Sequence, residues 1–184
     1  MAALIEVIAD SMIKLVNKDF EVKCKQLEAM KNIIESKDTL AILPTSYGKS
    51  LIFQMLPSVC KKLPSKPDNG IVLVISSLQA LIADQVKSAN KMKDSLGLNA
   101  CSLSSSSKMD KVLSGEFNII VDSPELWMGD PKTRKAMLSS PVFTKNLICI
   151  VVDEAHKVSW GVSNDGEKPF RKNVWQNWGD AFIC

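Results

Sequence analysis

Residues 39–56 read TLAILPTSYGKSLIFQML. Thr39 to Pro44 form a short apolar run of the kind that makes a buried strand, and Leu51 to Leu56 are apolar at helical spacing. Between them lies the tight, polar TSYGKS. Strand, loop and helix start in that order frame a phosphate site, because a helix N-terminus presents unpaired N–H groups and the positive end of its dipole. In that frame Lys49 reaches the β- and γ-phosphates, Ser50 ligates magnesium, and Gly48 lets the backbone come close to the ligand. Pro44, Thr45, Ser46 and Tyr47 complete the loop. The strict G-x-x-x-x-G-K-[ST] pattern has its first glycine where this chain has Leu43, and Ser46 and Tyr47 stand where small residues would ease the turn. On this stretch alone, a lysine-capped helix after an ordinary strand stands beside the nucleotide site as an alternative.

Three further apolar runs, GIVLVIS (70–76), FNIIVDS (117–123) and LICIVV (147–152), and a weaker one, NACSL (99–103), are separated by helix-length segments. Continuous rather than alternating apolar residues suit strands buried on both faces, so the pattern predicts an α/β domain with a mostly parallel sheet and helices on both faces. A helix is expected over Lys25–Glu35. Leu4, Ile5, Ile8, Met12, Leu15 and Val16 recur at helical spacing, so residues 1–19 read as an amphipathic helix packing on a domain of residues 20–184. Loops are expected at 64–70, 102–108 and 161–169.

A chain of 184 residues, 46% hydrophobic and 23% charged, can bury one sizeable core. Its net charge of +3 is too small to advertise polyanion binding, so any nucleic-acid surface must be local. The five cysteines, Cys24, Cys60, Cys101, Cys149 and Cys184, are scattered without a C-x-x-C pair, which argues for reduced thiols in an intracellular protein and against a disulfide frame or a zinc clamp. No apolar run reaches the roughly 18 residues of a membrane span, and the N-terminus fits neither a secretory signal nor a transit peptide.

LICIVVDEAH places Asp153 and Glu154 at the carboxyl end of an apolar strand, where ligands gather in open α/β sheets. Phosphoryl transfer to water needs a carboxylate to hold magnesium and a second group to orient and deprotonate the attacking water. Asp153 is assigned to the metal and Glu154 to the water. A solvated strand exit before an acidic helix start is the plain alternative, and it loses weight because a GKS unit precedes it. His156 is the single histidine, so a Ser-His-Asp triad or most zinc sites would have to use it without further histidines or partner cysteines. A coupling role beside the nucleotide is assigned to it, with packing on the sheet as the alternative.

The order of these motifs resembles the first RecA-like domain of superfamily 2 helicases, and within them the RecQ type of DNA helicase. LPTSYGKSLIFQMLP is similar to the RecQ nucleotide loop, LPTGGGKS followed by an apolar-aromatic-Gln helix; loops of this superfamily commonly dispense with the first glycine. VISSLQALIADQV (74–86) resembles motif Ia, VxSPLxxLxxDQV, with Ser77 in place of proline; SPELW (123–127) resembles a segment near the DNA, and VVDEAH matches motif II. The resemblance spans about residues 20–172. It implies ATP and Mg²⁺ as cofactors, Gln26 reading the adenine edge, and single-stranded or forked DNA contacted by Ser76, Ser77, Gln85 and Ser123. After DEAH the family carries an aromatic-rich loop that senses single-stranded DNA; here Trp160, Gly161, Phe170 and Arg171 keep its order, with an insertion between the halves.

The same resemblance implies a further strand bearing an S-A-T motif and a second motor domain with an arginine finger, so the domain is expected to be incomplete after motif II and to depend on a longer chain. It implies 3′-to-5′ polarity and a nuclear location by analogy. The leading expectation is therefore the ATP- and DNA-binding half of a RecQ-like helicase. A noncatalytic nucleic-acid or protein-binding module that kept the fold is the alternative, favoured by Ser46, Tyr47 and the altered aromatic loop. A phosphate-loop ATPase or kinase unrelated to helicases would leave motif Ia and SPE unexplained.

Overall fold

The computed structural model describes residues 23–103, 108–153 and 181–183. The helix expected within 1–19 lies outside them. Strands β1 (Thr39–Leu40), β2 (Ile71–Ser76), β3 (Ala100–Ser102), β4 (Ile119–Asp122), β5 (Leu147–Asp153) and β6 (Ala181–Ile183) make one sheet in the order β1-β6-β5-β2-β4-β3. Every pairing among them is parallel. Parallel neighbours require crossovers, and the helices among the described residues are α1 (Cys24–Ile34), α2 (Lys49–Cys60), α3 (Gln79–Lys91), the short α4 (Lys93–Leu96) and α5 (Met109–Leu113), then α6 (Pro124–Gly129), α7 (Pro131–Ser139) and α8 (Pro141–Asn146).

The apolar runs are continuous because both faces are covered. All six residues of β2 are buried, with Val72 and Val74 in one core and Ile71, Leu73 and Ile75 in the other. The first core takes Met30 and Ile33 from α1, Phe53, Leu56 and Val59 from α2, and Ile82 and Ala89 from α3. The second takes Val112 from α5, Trp127 from α6, Met137 from α7 and Phe143 from α8. The alternation of a strand, read at period two, thus sorts one apolar segment onto two helical layers.

Three helices of the second layer, α6, α7 and α8, begin on Ser-Pro, Asp-Pro and Ser-Pro. Proline suits a first helical position because its missing N–H has no partner there, and the preceding side chain accepts from an otherwise orphaned N–H. Ser123 accepts from Leu126 N (3.4 Å), Asp130 from Lys132 N (3.0 Å) and Ser140 from Phe143 N (3.2 Å).

Two differences from the sequence expectation matter for the site. The apolar run 39–44 yields a strand of only Thr39 and Leu40, whose ladder partners are Phe182 and Ile183 of β6. Beyond that pairing Ile42 is 82% exposed, and the chain runs to the loop without a ladder. The second difference is β6 itself. Ala181–Ile183, not among the strands expected from the sequence, pairs with both β1 and β5.

Candidate nucleotide site

The parallel order brings the carboxyl ends of β5, β2 and β4 to one edge, beside the loop after β1. Tyr47 N donates to Pro44 O (3.2 Å), closing the turn, and Gly48 is the N-cap of α2 with φ +86°. Ser46 adopts φ +63°, also left-handed. The backbone therefore takes the glycine-type conformation that the family pattern supplies at position 46, and the serine bears the strain; an L-residue in this region costs roughly 1–2 kcal/mol.

Gln26, 1% exposed on α1, is tied to this loop. Its Nε2 donates to Tyr47 O (2.9 Å) and Gly48 O (3.1 Å), and its Oε1 accepts from Lys23 N (3.0 Å). A Cβ at position 48 would lie 2.6 Å from that Nε2, so a side chain there would push the Gln26 amide off the loop carbonyls, on a residue whose φ already favours glycine. The sequence assigns Gln26 to an adenine edge; in this structure the amide braces the phosphate loop from behind. Tyr47 turns its ring under Lys23, whose ammonium sits 4.2 Å from the ring centroid.

A cleft of about 420 Å³ opens in front of the loop. Thr45, Ser46, Gly48, Lys49 and Ser50 form one wall, with Gln54 one turn further along α2. Tyr47 does not line it, so the bulky residue leaves the cradle open. Leu81, Asp84, Gln85 and Ser88 of α3 form the facing wall, and Asp153 at the end of β5 closes the floor. Asp153 is 7% exposed, and its Oδ2 accepts from Gln85 Nε2 at 2.5 Å. The loop lysine, the Ser50 hydroxyl and the strand-end carboxylate thus share one cavity, as the sequence expects.

The residues assigned to nucleic acid fare differently. Gln85 is buried on the metal candidate, with its donor committed to Asp153. Ser76 ends β2 in register with Asp153 and is fully buried, so its hydroxyl does not reach the surface in this structure. Ser77 follows it, its hydroxyl also buried and without a partner among the described residues. Ser123 caps α6, and its N–H donates to Asp122 Oδ1 (2.8 Å). Two serine hydroxyls at this edge, those of Ser76 and Ser77, therefore face inward. Glu154, His156, Trp160, Phe170 and Arg171 lie outside the described residues.

Four lining residues carry no role in the sequence assignment: Gln54, Leu81, Asp84 and Ser88. Leu81, Asp84, Gln85 and Ser88 follow the 3-1-3 spacing of one helical face, a signal present in the sequence. Gln54 is a polar residue inside an apolar helix, 3% exposed, and its Nε2 has no partner among the described residues. Gln85 Oε1 is likewise buried and unpartnered among them. A donor and an acceptor left over at one cleft suit a ligand that offers both kinds of partner, as a phosphate with its hydrated metal does.

Residues 23–168 match the DEAD/DEAH box helicase family. The chain belongs to that family. The relatives it matches include the ATP-dependent helicase SGS1 of Saccharomyces cerevisiae, 33% identical over 140 residues, covering 74% of this chain and 9% of that protein. The probable ATP-dependent DNA helicase RecS of Bacillus subtilis is 30% identical over 139 residues, 74% of this chain and 25% of its own length. The chain therefore spans a quarter or less of these two relatives. Among solved structures, the DUF1998 helicase MrfA bound to DNA and AMPPNP shares the fold with a TM-score of 0.66, at 19% identity, covering 84% of this chain and 21% of its own. DEAD/DEAH box helicases use ATP, generally with Mg²⁺, and the lining of this helicase domain's cleft fits that pair.

Proposed function

We propose that this domain binds ATP with Mg²⁺ in the cleft between the start of α2 and Asp153, and that it is the first motor domain of a RecQ-type DNA helicase. The single observation that carries the proposal is the convergence of Lys49, Ser50 and Asp153 on one cavity at the carboxyl edge of a parallel sheet. Lys49 and the N–H groups at the start of α2 hold the phosphates, stabilised by the helix dipole. Ser50 and Asp153 are the oxygen ligands for the metal, which supplies charge neutralisation on the phosphoryl oxygens. Gln26 keeps the loop in its left-handed turn through Tyr47 O and Gly48 O. Glu154 orients the attacking water, and His156 couples the site to the DNA loop carrying Trp160, Phe170 and Arg171.

DNA as the track is supported by the RecQ-type relatives and by the DNA-bound helicase that shares the fold. A second motor domain, with 3′-to-5′ movement and a nuclear site of action, belongs to the same proposal. An arginine finger from such a domain contributes about three to five orders of magnitude in rate. The test is phosphate release with and without single-stranded DNA for the wild type, Lys49→Ala and Glu154→Gln. DNA-stimulated turnover abolished in both variants supports the motor. DNA binding indifferent to nucleotide and to Lys49 supports a noncatalytic module instead.

A further inference from the structure

A carboxylate as buried as Asp153 needs donors of its own. One comes from Gln85, 68 residues earlier in the chain. The residue type carries information. A lysine or arginine at this position would neutralise Asp153 and compete with any cation, whereas a neutral amide fixes the carboxylate and leaves its charge in place. The amide has one workable orientation, because its oxygen turned toward Asp153 would set two acceptors against each other. Nε2 is therefore spent on Asp153, and Oε1 is left buried without a donor among the described residues. Both Gln85 and Asp153 line the cleft. The Gln85 carbonyl oxygen lacks a donor among the described residues beside an anionic carboxylate, and the waters of a hydrated magnesium ion are strong donors of the kind that oxygen needs.

We propose that Gln85 is a positioning residue for the metal: its amide N–H holds the Asp153 carboxylate in one orientation, and its Oε1 accepts a hydrogen bond from a water on the divalent cation that accompanies the nucleotide. The proposal rests on the ATP–magnesium reading above and deepens it. It moves Gln85 from the DNA surface to the metal's outer shell, where partners of a metal ligand are worth about 10–100-fold in metal affinity. Gln85 sits two turns into α3, whose first wall residue is Leu81, so one rigid helix supplies both the side of the cleft and the brace on its floor.

The test measures binding of a non-hydrolysable ATP analogue to the full chain by calorimetry, in EDTA and across a Mg²⁺ titration, for the wild type and Gln85→Met. Methionine keeps the length of the side chain and removes both the donor and the acceptor. The expected result is a metal-free Kd within about twofold of wild type, and a Mg²⁺ midpoint raised about tenfold or more. A residue that only packs the core would leave the midpoint where it was, and an unchanged midpoint overturns the assignment while the ATP–magnesium reading stands. A wild type whose nucleotide affinity ignores Mg²⁺ overturns both. Should Gln85→Met fail to fold, Gln85→Asn gives the same readout: its amide is one methylene too short to span to Asp153, so the midpoint should again rise, and a wild-type midpoint refutes the proposal.

Discussion

Replacing Gly48 by alanine should destabilise the domain, and the structure says how the cost divides. The new Cβ would meet Gln26 Nε2 at 2.6 Å, on a residue whose φ is +86°. That nitrogen is the end of a flexible side chain and can give way, so the penalty is loss of what it holds, its bonds to Tyr47 O and Gly48 O. Two hydrogen bonds at about 1 kcal/mol each, with roughly 1 kcal/mol or more of left-handed strain, give about 3 kcal/mol. Gln26→Ala loses the same two bonds and the one from Lys23 N, about 2–3 kcal/mol. In the double variant the bonds are lost once and only the strain is added, so its cost is about 3–4 kcal/mol rather than the sum of about 5–6. Urea unfolding followed by circular dichroism, at constant m-value, measures all three. Additivity within about 0.5 kcal/mol would show that the two residues do not share an interaction and would refute the bracing role of Gln26.

Three further outcomes follow from the same loop and core. Ser46→Gly relieves the left-handed φ of +63° but loosens the unfolded chain, so a net gain of about 0.5–1 kcal/mol is expected as a higher urea midpoint; an equal or lower one contradicts the strain. Tyr47→Ala should leave ATP affinity within about threefold, a change of under about 1 kcal/mol, because the ring packs under Lys23 and does not line the cleft; a tenfold change in a binding titration contradicts that. Burial pushes the Cys60 thiol up to about 11 and Cys101 to about 12, whereas Cys24 is exposed. Iodoacetamide at pH 8 should therefore label Cys24 first, with Cys60 and Cys101 reacting only on unfolding, as read by peptide mass spectrometry. The linked effect on stability has one sign. The folded state holds these protons more tightly than an unfolded thiol near 9.0, so their contribution is complete below that value and is lost as pH rises through about 11 and 12.

Much of the architecture was legible in the sequence because burial on both faces writes itself as unbroken apolar runs. Positions 70–76, 117–123 and 147–152 all contain strands, and even the weak run at 99–103 holds β3. The last strand, Ala181–Ile183, is not expected because the short apolar run AFIC that holds it directly follows the polar Gly-Asp pair and has no following segment to frame it as a strand. Strand β1 was overestimated for a related reason: composition cannot say where a ladder partner stops, and here pairing ends at Leu40.

At the site, the meeting of Lys49, Ser50 and Asp153 on one cavity is legible because each sits in a short local pattern. The sequence assigns Gln85 to DNA, and nothing local reveals its hydrogen bond to a residue 68 positions away. The sequence assigns Gln26 to an adenine edge, and in the structure its amide bonds the loop carbonyls of Tyr47 and Gly48. Its grip on two loop carbonyls depends on how α1 packs against α2, a tertiary fact. Tyr47 looked obstructive in one dimension because the chain text does not show that its backbone, rather than its ring, faces the turn.

The central claim is that one cavity grips a triphosphate at Lys49 and its metal at Asp153. Calorimetric titration of ATP in Mg²⁺ into the wild type, Lys49→Ala and Asp153→Asn tests it most directly. One saturable site is expected in the wild type, weakened at least about tenfold by Lys49→Ala, equivalent to about 1.4 kcal/mol. Asp153→Asn should lose the magnesium-dependent part of the affinity while retaining the metal-free part. Equal ATP affinity in all three proteins, or a wild type that binds no ATP, would contradict the account.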